Sequence, residues 1–147
     1  MISLDIQTRC LLLYFQIVAF VIGDLEYIET TSFRIPIRVY TTSGLASSGQ
    51  FALELAAKTL KFYEESFDSL FPLPKMDMVA WATQYQAWWF NLLIEPRVHD
   101  SFGAMENWGL VLYKQSLLLF DEKTSGVEDK MRVAYGTSLI ILEGTGR

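Results

Sequence analysis

Between Gly103 and Gly109 the chain reads Gly-Ala-Met-Glu-Asn-Trp-Gly. A carboxylate, Glu106, and a carboxamide, Asn107, stand side by side between glycines, and an apolar run begins at Leu110. On the edge of a sheet, such a stretch can pair its backbone N–H and C=O groups with an extended peptide. Glu106 can hold one positive charge beside them, and a peptide with a free N-terminus carries one on its α-ammonium. The plain alternative is a turn leading into a strand, with Glu106 in water as most carboxylates are.

Metal chemistry has little to work with. The chain holds one His, His99, and one Cys, Cys10. A catalytic zinc usually takes three protein ligands, mostly His, and these two residues are far apart in sequence. His99 therefore reads as an ordinary loop or core histidine and Cys10 as a small buried hydrophobe. Asp77 and Asp100 read as structural or solvated, and Trp108 as packing. A single cysteine also excludes an internal disulfide framework.

The elements that must position Glu106 come from a chain of 147 residues, enough for one modest domain. An apolar content of 51% with 14% aromatics argues against disorder. Twelve Lys and Arg face seventeen Asp and Glu, giving a net charge of −5 with no basic patch, so nucleic acid is not an expected partner. Residues 10–22 form an apolar run that is too short to span a membrane. Asp5 before it and Gly23-Asp24-Leu25-Glu26 after it do not fit a secretory signal.

Hydrophobic spacing predicts strands at 17–22 and 25–29. Residues 34–40 alternate, with Arg34, Pro36 and Arg38 on one face and Ile35, Ile37 and Val39 on the other. That is a strand, and Pro36 places it at an edge. Residues 41–49 read as a loop. A helix is expected over 50–67, where Leu53, Ala56, Leu60, Tyr63 and Phe67 make one core stripe, ended by Phe71-Pro72-Leu73-Pro74. A short strand follows at 76–80. Residues 81–97 hold Trp81, Trp88 and Trp89 and read as an aromatic helix without the basic face of a membrane-seeking one. Residues 110–113 continue the motif as a strand, 114–120 are apolar, 121–128 form a polar loop, and 128–135 begin a helix. Residues 136–147 show no clear period, and Gly144-Thr145-Gly146 reads as frayed. The expected class is α/β mixed (α+β), with a mixed sheet carrying the motif strand.

The stretch Gly103-Ala104-Met105-Glu106-Asn107-Trp108-Gly109 resembles the exopeptidase motif of the M1 family of zinc aminopeptidases. The resemblance extends to Val18-Ala19-Phe20-Val21-Ile22-Gly23-Asp24-Leu25-Glu26-Tyr27, to 34–40, and to Gln50-Phe51-Ala52, Ala57-Lys58-Thr59-Leu60, Phe62-Tyr63 and Pro72-Leu73-Pro74-Lys75-Met76-Asp77. It is similar to the yeast-like cytosolic branch, which implies a cytoplasmic location. It implies that residues 17–32 close an N-terminal β-domain. Residues 33–135 would then be part of a thermolysin-like catalytic domain, with 1–16 an unmatched leader, 81–97 an insertion and 136–147 an unmatched tail. It also implies a peptide with a free N-terminus as partner. Glu106 would bind the α-ammonium, the backbone at Gly103 and Ala104 would line the peptide, and Met105 and Asn107 would shape the site.

The intact family uses zinc held by an H-E-x-x-H helix, whose Glu is the general base. The family register places Leu139, Ile140 and Glu143 where those three residues would stand. The third ligand and the catalytic tyrosine would lie past Arg147. No zinc and no catalytic residue are therefore expected in this chain, which keeps one half of a substrate site. Two other expectations stand beside this one: a non-catalytic peptide- or protein-binding module, and a gene-model artefact from mis-joined coding segments.

Overall fold

The computed structural model describes residues 21–81 and 103–144. Five strands form one mixed sheet in the order β1-β2-β3-β5-β4. They are β1 (Leu25–Thr30), β2 (Ile37–Thr42), β3 (Met76–Trp81), β4 (Ala104–Asn107) and β5 (Leu110–Lys114). β2, β3 and β5 run parallel, while β1 and β4 are antiparallel to their single neighbours. Among the described residues there are three α-helices: α1 (Gln50–Phe67), α2 (Gln115–Leu118) and α3 (Val127–Gly144). The α/β class expected from sequence is the one found.

Period-two alternation decides which residues meet the helices. Ile37 and Val39, Met76, Met78 and Ala80, and Val111 and Tyr113 pack with Leu53, Ala56 and Leu60 of α1 and Val133, Ile140 and Ile141 of α3. The intervening residues Tyr40, Val79, Leu110 and Leu112 form a second, smaller cluster with Met105 on the opposite face. β3 is buried throughout except at Trp81, as a central parallel strand should be.

α1 has the bounds its stripe predicts, but the stripe turns outward at its end. Phe67 is 46% exposed, with its ring in contact with that of Tyr63. Asp68 stops the helix in the left-handed region at φ 48°. Glu64 then ties the exit down: its Oε1 accepts the Phe71 N–H at 2.6 Å and Arg34 Nη2 at 2.7 Å.

Four sequence expectations need correction. β2 is not an edge strand; it lies between β1 and β3. Pro36 stands one residue before it, and its carbonyl accepts the Met76 N–H at 3.1 Å, so the missing N–H costs the sheet nothing. The stretch after Tyr135 is helical through Gly144, because α3 continues and buries Thr137, Ile140 and Ile141. Trp108 does not pack into the core and is 39% exposed at the β4–β5 turn. Asp77 is structural and fully buried. Val21 and Ile22 belong to no strand. The rest of the 17–22 expectation, Cys10, His99, Asp100 and the helix expected from 82 to 97 lie outside the described residues.

At the rim of the sheet, Trp81 at the end of β3 pairs with Lys114, and Ala104 at the start of β4 pairs with Tyr113. Both ends therefore sit on the same rim.

Candidate functional site

Two glycines bracket the motif strand. Gly103 has φ +73° and Gly109 has φ +78°, a region that side chains avoid. Both are also crowded. A Cβ on Gly103 would fall 2.7 Å from Leu117 Cδ1, and one on Gly109 would fall 2.9 Å from Leu73 Cδ1. Trp108 and Gly109 make the two-residue turn between the paired residues Asn107 and Leu110.

Among the described residues β4 has a neighbour on one side only. The Lys114 N–H donates to the Gly103 carbonyl at 2.7 Å. Antiparallel alternation then turns the backbone groups of Gly103, Met105 and Asn107 toward β5, and those of Ala104 and Glu106 toward the outer edge. Of the residues singled out in the sequence, Gly103 and Asn107 are buried, while Ala104, Met105 and Glu106 are half-buried.

Side chains alternate as well. Met105 belongs with the small cluster on the open face, and Ala104 packs with the helix-side core. Glu106 shares the face of Ala104, on the side where α3 lies against β4. On the same face lies Tyr113 of β5, fully buried with a hydroxyl that has no hydrogen-bond partner among the described residues. Burial first, and the Glu106 carboxylate second, push the Tyr113 phenol far above its ordinary value.

On the opposite face Asp77, Leu110 and Asn107 form one cross-strand row. Lys75 reaches into it. Its ammonium bonds Asp77 Oδ2 and donates to the Gly109 carbonyl at 3.3 Å. Neither Lys75 nor Tyr113 was singled out from the sequence. The available signal for Lys75 was the carboxylate inside the otherwise apolar run Met76-Asp77-Met78-Val79-Ala80, which a buried strand tolerates only with a partner.

The sequence pattern described as "Peptidase family M1 domain" matches residues 51–140, and the chain belongs to that family. It is 48% identical over 119 residues to the alanine/arginine aminopeptidase of Saccharomyces cerevisiae, covering 80% of this chain and 12% of that protein. It is 46% identical over 119 residues to aminopeptidase 2, mitochondrial, of the same yeast, covering 80% and 11%. It is 43% identical over 120 residues to aminopeptidase M1 of Arabidopsis thaliana, covering 80% and 12%. The chain thus spans about an eighth of the length of these relatives.

Peptidases of this family depend on zinc. The described residues do not fit that ion. Leu139 and Ile140 of α3, which the resemblance would set at a ligand and the base position, are hydrocarbon, and Ile140 is buried in the core. Among the described residues no group of three or more His, Cys, Asp and Glu side chains comes together. No helix among them is long and apolar enough to cross a membrane.

Proposed function

We propose that this chain carries the N-terminus-recognition half of an M1 aminopeptidase site and binds peptides without cleaving them. The supporting observation is Glu106, half-buried on an edge strand whose two ends are fixed by left-handed glycines. A peptide with a free N-terminus would lie along β4, pairing with the outward backbone of Ala104 and placing its α-ammonium on the Glu106 carboxylate. Gly103, Met105 and Asn107 would hold the strand in register against β5. Losing one partner of a buried charge pair costs about 2–5 kcal/mol, which is enough to select a free N-terminus. It supplies no nucleophile and no polarised carbonyl, so hydrolysis is not expected of this chain. By the same family likeness, the place of action is the cytoplasm.

The test is a titration of the full chain with leucinamide and with N-acetyl-leucinamide, followed by calorimetry or amide chemical shifts. Leucinamide should bind and the acetylated compound should not. Glu106→Gln should weaken leucinamide by about tenfold or more. Equal binding of both compounds would refute the assignment of Glu106. Zinc-dependent hydrolysis of an aminoacyl anilide by the pure chain would refute the non-catalytic part.

A further inference from the structure

The β4–β5 turn is gripped by the segment that leads into β3. Lys75 lies just before β3, and its ammonium joins Asp77 Oδ2 to the Gly109 carbonyl. The Gly109 carbonyl also accepts the Asp77 N–H at 3.1 Å. Asp77 is fully buried, while the Lys75 side chain is 26% exposed. A carboxylate removed from water in this way is tolerated only beside a cation, and Lys75 is the cation bonded to it. Leu73 of the same segment closes on Gly109 so tightly that a Cβ there would have to push its Cδ1 aside. The segment before β3 thus holds the turn by contact at Leu73 and by charge at Lys75.

That turn begins immediately after the functional strand. Asn107 follows Glu106, shares a cross-strand row with Asp77, and is itself buried. Among the described residues Asp77 Oδ1 and Asn107 Nδ2 have no hydrogen-bond partners, so the row is not held together by a side-chain bond between those two residues. The tie to the turn runs through the Lys75 ammonium and the Asp77 N–H.

We propose that Lys75 is a positioning residue for the peptide-binding strand. Its ammonium, anchored on Asp77, fixes the Gly109 turn and so sets where Glu106 stands on the sheet edge. Lys75 touches no ligand; its influence passes through the backbone of residues 107–109. The ligand-binding consequence rests on the assignment of Glu106 made above, whereas the effect on the strand does not.

The experiment compares the full chain with Lys75→Met, Lys75→Arg and Glu106→Gln, by amide hydrogen exchange and by leucinamide affinity. Lys75→Met keeps most of the stem and drops the charge. It should speed exchange at Met105 and Asn107, whose amides face β5, by about tenfold, with less than about twofold change at Val39 and Leu60. It should weaken leucinamide by about fivefold, and Lys75→Arg should restore both properties to within about threefold. A uniform change at Met105, Val39 and Leu60, or none at Met105 and Asn107, would overturn the proposal.

Lys75→Met leaves a buried carboxylate without its cation and risks unfolding. The double variant Lys75→Met with Asp77→Asn removes that penalty and should still show the selective change at Met105 and Asn107. If wild type and Glu106→Gln bind leucinamide alike, the Glu106 assignment falls. The exchange comparison still decides whether Lys75 holds the strand.

Discussion

Tyr113 stands diagonally across the β4–β5 ladder from Glu106: Glu106 opposes Val111, and Tyr113 opposes Ala104. Both side chains lie on the helix-covered face, so a buried phenol with no hydrogen-bond partner among the described residues is held in the field of the one carboxylate of the motif. The hydroxyl makes no bond that phenylalanine would lose. Tyr113→Phe is therefore expected to leave stability unchanged or raise it by up to about 1 kcal/mol, read from urea unfolding. A loss of more than about 1 kcal/mol would reveal a hydrogen bond made by that hydroxyl in solution.

The same burial sets an alkaline limit. Tyr113, Tyr40 and Tyr63 are all pushed above the ordinary phenol value of 10.0, in each case mainly by burial. The unfolded chain gives up these protons near pH 10, while the folded chain still holds them, so the folded state binds more protons there. Stability is then complete below about pH 10 and falls as pH rises beyond it. Tyr113→Phe should flatten that decline. Urea unfolding at a series of pH values, with phenolate absorbance recorded alongside, would check both statements.

Gly103→Ala and Gly109→Ala should each cost at least about 1–2 kcal/mol from the left-handed backbone alone. Gly109→Ala adds a clash with Leu73 at 2.9 Å, with the Lys75 carbonyl only 3.6 Å away. The Gly103 neighbours are the ends of Leu117 and Lys114 side chains, and the lysine can swing aside more readily. Both variants should lose leucinamide binding before they lose the fold, as shown by parallel titration and circular dichroism.

Glu26 holds the far side of the sheet. Its Oε1 accepts the N–H groups of Leu45 and Ala46 at 2.9 and 3.0 Å, pinning the 3-10 turn at Ala46–Gly49 that leads into α1. Glu26→Ala should cost about 1–3 kcal/mol and raise amide exchange at Leu45 and Ala46 first. Leucinamide affinity should stay unchanged, since β1 and β4 are opposite edges of the sheet.

Where one short-range signal dominated, the structure was legible in the sequence. The stripe Leu53, Ala56, Leu60 and Tyr63 announced α1, and the alternation of Ile35, Ile37 and Val39 announced the buried face leading into β2. Glycine, carboxylate and amide in succession announced the bracketed strand. Long-range packing decided the rest. Past Tyr135, Gly136 and Thr137 weaken a helical reading and residues 139–142 are apolar on every face, so no period survives. The core makes that segment helical by burying Thr137, Ile140 and Ile141. Pro36 suggested an edge because sequence cannot tell a strand's first residue from the one before it. Lys75 was hidden because its partner carbonyl, on Gly109, is 34 positions away.

β3 ends and β4 begins on one rim of the sheet, with β5 between them. The two points to be joined are thus separated by two inter-strand spacings, about 10 Å. A chain leaving Trp81 can return to Gly103 by a short path or a long one without shifting any strand pairing. Closing a longer loop adds only about 0.6 kcal/mol for each doubling of its length. This rim is therefore a port at which sequence can be gained or lost beside β4 while the pairing of Glu106 with Val111 is kept. Deleting residues 82–97 should leave the pairing of Ala104 with Tyr113 intact.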